Sequence, residues 1–234
     1  MPSNIISKVL SPAVKLWLRS QVETVDRLRI EINGSDRQII GGYIPNIFLA
    51  SSSANYQGIH LSEVELVGNN IRINIGQIIK GKPLRLIEPI SVIAKVMLQE
   101  TDLNRSLSSP LLSAGLTDFF FDLLATRSLL NLIEFKQDFQ IRWLQLAIER
   151  NKLIIEGNLI NSDREDIPLT IVSGLTLANP QTLLLYSLKI ETIPGLINMN
   201  LNEFQLDLGS VVAIEELSLL SDRLNCYGRL TVLP

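Results

Sequence analysis

The chain has one histidine, His60, and one cysteine, Cys226, and these are the first residues to weigh for chemistry. A hydroxyl or thiol nucleophile needs an adjacent base, so His60 would have to meet a serine or a cysteine. The segment "GIHLSEV" has no nucleophile elbow, and Cys226 lies in a separate strand-like segment, "RLNCYGRLTV". There it occupies the apolar phase and reads as a buried, inert thiol. A single cysteine also forbids an intramolecular disulfide. Zinc sites draw several ligands from histidine and cysteine, and two such residues are too few.

Paired carboxylates are the next candidates. Glu63 and Glu65 alternate with Val64 and Leu66 and so are expected to face water. Glu215 and Glu216 are adjacent and would face opposite ways in a strand unless a bulge intervenes. Asp163, Glu165 and Asp166 form a polar hairpin tip, "NSDRED", without the glycine and distal glutamate of an EF-hand. Gly41 and Gly42 in "IIGGYIPN" suit the start of a strand or a bulge, and no phosphate-binding glycine pattern occurs. The expectation is a chain with no catalytic residues, no metal and no cofactor, and not an enzyme.

Composition sets the frame for these residues. The chain has 234 residues, 46% of them hydrophobic and 19% charged, with net charge −3. Mean hydropathy is +0.25. Charge is below the roughly 25% usual in soluble domains, so surplus apolar surface needs a core, a lipid, a membrane or a partner. No basic run interleaved with aromatics points to nucleic acid. No apolar run of about 18 residues occurs, so no transmembrane helix is expected. The N-terminus lacks the pattern of a secretory signal. The expected location is cytoplasmic or peripheral to a membrane; the oligomeric state is open.

Residues 4–19 repeat apolar side chains at helical spacing: Ile5, Ile6, Val9, Leu10, Ala13, Leu16 and Trp17. Pro12 predicts a kink or a late start. This helix either packs on a sheet or rests on anionic lipid as a basic amphipathic helix. In the second case Ile5, Ile6, Val9, Leu16 and Trp17 are the membrane-contact residues.

Period-two alternation dominates the rest. It runs through Leu28, Ile30 and Ile32, then Ile71, Ile73 and Ile75, then Leu169, Ile171, Leu175 and Leu177. It recurs in Leu184, Tyr186, Leu188 and Ile190, and in Leu224, Cys226, Leu230 and Val232. Such alternation means sheet with one dry face. Turn signals at 68–70, 149–151, 161–166, 178–180 and 221–225 favour antiparallel hairpins. Two helices interrupt the strands. Thr101 suits a cap before Asp102, and Ser109 a cap before Pro110. From Pro110, Leu112, Leu116, Phe119, Phe120, Leu123 and Leu124 form an apolar stripe. The fold class is therefore α+β, antiparallel strands with apolar helices covering the dry face. Its expected organisation is an N-terminal amphipathic helix over 1–20 and one domain over 21–234.

Three stretches resemble the LmeA-like phospholipid-binding family, its cyanobacterial branch most of all. In "GGYIPNIFLASSSANYQGIHLSEVELVGNNIRIN" the shared features are Gly42, the run 47–54, Gly58, Ile59, Leu61, Val64 and Leu66. "MLQETDLNRSL" is similar to the family's segment through Glu100, Asp102, Leu103, Asn104 and Leu107. The ending "LDLGSVVAIEELSLLSDRLNCYGRLTVLP" is similar to its closing motif. The resemblance implies a TULIP-like fold, in which a long, curved antiparallel sheet wraps around one or two apolar helices and holds acyl chains. It supplies no catalytic or headgroup motif.

Under that implication the chain binds, and possibly transfers, a phospholipid or other acyl-chain lipid without covalent chemistry. Each buried methylene contributes about 0.8 kcal/mol. The expected lining is Leu112, Leu116, Phe120, Leu123, Trp143, Ile171, Leu184 and Tyr186. The alternative is a membrane-peripheral scaffold or interaction protein whose core is closed, because periodicity does not distinguish a filled interior from a hollow one.

Overall fold

The computed structural model describes residues 6–126, 135, 137–149, 151–192 and 197–234, with side chains from residue 8. A π-helical turn over Ile6–Leu10 leads into α1 (Ser11–Gln21), with Pro12 in its first turn. That turn needs no N–H from Pro12, so the regular helix begins late. Strands β1 (Thr24–Asp26) and β2 (Arg29–Asn33) precede the short helix α2 (Asp36–Ile40). Ser35 and Gln38 form a reciprocal capping box at its start. Then come β3 (Tyr43–Ser51), β4 (Ser53–Tyr56), β5 (Ile59–Leu61) and β6 (Glu63–Arg72). The turn expected at 68–70 does not form. β6 runs through it, with Asn70 held at φ 55 inside the strand.

A single helical turn, α3 (Ile75–Ile78), separates β6 from β7 (Ile90–Gln99). Helix α4 (Glu100–Ser106) follows without a break. Its first residue is Glu100 rather than Asp102, and no side chain caps it, so Thr101 is not the cap the sequence suggests. Helix α5 (Pro110–Ala125) is capped as expected: Leu112 N–H donates to Ser109 Oγ at 3.1 Å. The remaining strands form a meander and a hairpin. They are β8 (Gln140–Glu149), β9 (Lys152–Ile160), β10 (Asp166–Asn179), β11 (Thr182–Thr192), β12 (Asn198–Asp207), β13 (Val212–Leu220) and β14 (Arg223–Val232).

All strand pairs are antiparallel, as the short connections require. The strands divide among three ladders: β1-β4-β5, β12-β11-β10-β9-β8 and β13-β14-β7-β6-β3-β2. Two apolar cores result. One lies between α5 and the five-stranded sheet; the other lies between α1 and the six-stranded sheet. One face of β14 serves both. Leu224 packs on the first core, and Leu230 and Val232 on the second.

Candidate functional site

The five-stranded sheet presents an apolar face that is sealed at one end and half-open at the other. At the sealed end α5 lays Phe120, Leu123 and Leu124 against Leu159, Leu169, Ile171, Leu188 and Ile190, all at 0–1% exposure. Phe120 meets the Trp143 ring edge-on, with centroids 6.3 Å apart. Trp143 Nε1–H donates to Thr117 Oγ1 at 3.1 Å, so the buried indole has its partner.

The half-open end is set by strand register. Leu175 pairs with Leu185 and Leu177 with Leu183; Leu185 then pairs with Phe204 and Leu183 with Leu206. Direct partners share a face of a sheet, so these six residues form one apolar row across three strands. Leu185 is buried, and the other five are only half-buried. Phe204 joins the row to α5 through an edge-on contact with Phe119, 5.8 Å between centroids. Leu112 and Leu116 on α5 are half-buried and pack on the same core.

The expected lining residues fall into three places. Phe120, Leu123, Trp143 and Ile171 lie in the sealed core, and Leu112 and Leu116 are half-buried and pack against it. Leu184 and Tyr186 share the opposite phase of β11 from Leu185. Ser187 stands at φ 51 where the pairing of β10 with β11 slips by one residue, so the inward phase passes from Leu188 to Leu185. Tyr186 instead covers Gly174, where a Cβ would come within 2.2 Å of the ring. It lines a pocket of about 550 Å³ with Lys152, Lys189 and Glu191. The residues missed from the sequence are Leu183, Leu185, Phe204 and Leu206. The alternation of Phe204 and Leu206 in "EFQLDL" was the available signal.

Of the expected membrane-contact residues, Val9 and Trp17 are half-buried on the second core, and Leu16 is 69% exposed. Ile5 and the side chain of Ile6 lie outside the described residues.

The polar residues singled out earlier are engaged structurally. Glu100 Oε2 accepts from Ile148 N–H at 2.8 Å. Asn104 Oδ1 accepts from Leu146 N–H at 2.8 Å, and its Nδ2 donates to Leu146 O at 2.7 Å. Both partners belong to β8, the outermost strand of its ladder, so α4 satisfies that edge. Asp102 accepts from the Ser62 hydroxyl at 2.5 Å, and Ser62 Oγ accepts from Gln99 N–H. The backbone N–H of His60 donates to Ser106 Oγ at 2.8 Å. Gly58, at φ 80, rests against Ser109, where a Cβ would lie 2.5 Å from the serine Cβ. Gly42, at φ 75, rests against Ile73 O in the same way.

The carboxylate pairs do not converge. Glu63 and Glu65 are exposed; Glu215 pairs with Arg229 at 2.6 Å, beside a bulge between Ile214 and Glu216; Asp166 pairs with Arg142. Among the described residues no group of three or more His, Cys, Asp or Glu side chains could hold a metal ion. Cys226 is half-buried, and burial pushes its thiol pKa up. No described helix is long and apolar enough to cross a membrane.

The model of the LmeA-like phospholipid-binding family matches residues 2–229. The chain belongs to that family. Its LmeA-like segments map onto the joints of the fold: Gly42 and Gly58 at close backbone approaches, and Glu100, Asp102 and Asn104 where α4 meets β8 and Ser62. No curated protein and no solved structure matches this LmeA-like chain.

Proposed function

We propose that the protein binds a phospholipid non-covalently, with acyl chains lying along the half-open row Leu175, Leu177, Leu183, Leu185, Phe204 and Leu206. The observation that carries this reading is the row itself: six apolar side chains in register on one face, five of them only partly buried. Membership of a phospholipid-binding family supports the same ligand class. The interaction requires only transfer of methylenes from water to leucine and phenylalanine surface, at about 0.8 kcal/mol each. No residue on the row titrates or reacts, so binding changes no bond. The sealed end acts as a wall: the Phe120–Trp143 contact holds α5 in place while the open end takes the ligand.

The test is uptake of a phospholipid carrying a fluorophore on its acyl chain, from dilute detergent, by the delipidated full chain. Leu183→Glu with Leu206→Glu lowers uptake by roughly tenfold or more, because a tail then meets two carboxylates. Parent-level uptake by this double variant would remove the row from the site.

A further inference from the structure

The five most exposed large apolar side chains among the described residues are Leu16, Ile79, Leu233, Ile87 and Ile40, at 69%, 62%, 62%, 60% and 56%. Strand register gathers four of them at one end of the six-stranded sheet. β3 starts there and β6 stops there, with Tyr43 paired to Arg72; β7 starts there and β14 stops there, with Val232 paired to Ile90. Ile40 closes α2 just before β3, Ile79 follows α3, and Leu233 follows Val232. Ile87 N–H donates to Arg72 O at 3.0 Å. Leu16 joins them across a groove of about 410 Å³, where Ala13, Leu16 and Trp17 of α1 face Lys82, Pro83 and Leu84.

Charge is segregated to the two segments that line this groove. Residues 8–22 and 75–87 carry Lys8, Lys15, Arg19, Lys80, Lys82 and Arg85, and all 24 acidic residues of this net-negative chain lie outside the two segments. The six cations are exposed, and none of them enters an ion pair among the described residues. Four carboxylates stand nearby: Glu88, held by Arg72 at 3.5 Å, Asp36 in the first turn of α2, and Glu23 and Asp26, which line a neighbouring depression with Arg19.

Exposed isoleucines at turns and a helix end, beside segments carrying unpaired lysine and arginine, match one partner chemistry. Apolar tips enter the boundary between headgroups and acyl chains, and the cations meet lipid phosphates. We propose that this end of the six-stranded sheet is a docking surface for anionic lipid bilayers. It is separate from the apolar row on the five-stranded sheet, so docking and lipid uptake are separable properties.

The test is cosedimentation of the full chain with phosphatidylcholine vesicles containing roughly one-fifth phosphatidylserine, and with phosphatidylcholine alone. The chain binds the anionic vesicles more tightly, and added salt weakens the binding. Lys80→Glu with Lys82→Glu lowers partitioning by roughly tenfold or more. Ile79→Ser with Ile87→Ser lowers it by a similar factor, with the thermal midpoint unchanged, since both side chains already face water. Should that variant fold poorly, Leu16→Ser carries the same expectation. Lys152→Glu with Lys189→Glu, on the outer face of the five-stranded sheet, leaves partitioning at the parent level. Three results overturn the proposal: no sedimentation of the parent chain with anionic vesicles, parent-level binding by the Lys80/Lys82 variant, or equal loss in the Lys152/Lys189 control. Uptake of phospholipid from detergent needs no bilayer and stays at the parent level in the docking variants, so failure of docking and failure of lipid binding are scored independently.

Discussion

Asn104 and Leu146 meet as a strand and its partner would: the side-chain amide takes the Leu146 N–H at 2.8 Å and gives a hydrogen to the Leu146 carbonyl at 2.7 Å. A helix residue thus occupies the place of a missing neighbour strand on β8. Asn104 Nδ2 also donates to Glu100 O at 2.8 Å, and the Glu100 carboxylate takes the next amide along that free edge, Ile148 N–H. The family-like segment "ETDLN" therefore acts as a joint between α4 and the five-stranded sheet.

Replacing Asn104 by alanine strands both Leu146 backbone groups. Stability should fall by about 2 kcal/mol, from net hydrogen-bond loss and the cost of unpaired, partly buried groups. Asn104→Asp should not restore it, because a carboxylate cannot donate to Leu146 O. Urea unfolding midpoints measure both; a midpoint unchanged in Asn104→Ala would show that water replaces the amide freely.

The sealed and half-open ends should differ in their response to truncation. Phe120→Ala removes a fully buried ring and should lower stability by about 3–5 kcal/mol. Leu183→Ala, at a half-buried position, should lower it by about 1 kcal/mol or less. Equal losses in chemical denaturation would contradict the distinction between the two ends.

Ligand affinity should climb with acyl-chain length. Each added methylene that leaves water for the row should tighten binding roughly fourfold until the row is covered. Titration calorimetry with short-chain phosphatidylcholines below their micelle thresholds reads this directly. Affinity independent of chain length would mean that the headgroup, rather than the tail, is recognised.

Cys226 gives a prediction in pH. Burial disfavours its thiolate, so the folded pKa lies above that of the unfolded chain. The folded state binds the proton more tightly. Its stabilising share is therefore complete below the unfolded thiol pKa and is lost as pH rises through the raised folded value. Alkylation by iodoacetamide should be slower in the native protein than in urea at the same alkaline pH, and Cys226→Ser should remove that part of the alkaline decline in stability.

Local signals were legible in the sequence, and distant ones were not. Ser109 and Pro110 announce the start of α5 because a cap and a first-turn proline act within three residues. The alternation of Leu169, Ile171, Leu175 and Leu177 keeps one phase along β10 because that strand carries it regularly. In β11 the same reasoning failed at Ser187, whose φ of 51 shifts the phase and moves Leu184 and Tyr186 away from Leu188 and Ile190. Serine gives no advance notice of that conformation, unlike glycine. Asn104 reads locally as a turn former, whereas its partner lies 42 residues away. The half-open row also depends on register between three strands, which alternation within each strand does not set.

Native mass spectrometry of the purified full chain, beside its Leu183→Glu/Leu206→Glu variant, tests the central claim most directly. Phospholipid binding along the row predicts a one-to-one adduct of phospholipid mass in the parent, released by raised collision energy and greatly reduced in the variant. Two results would contradict it: a parent chain that stays free of adduct after incubation with excess phospholipid, or a variant that carries the same lipid to the same extent.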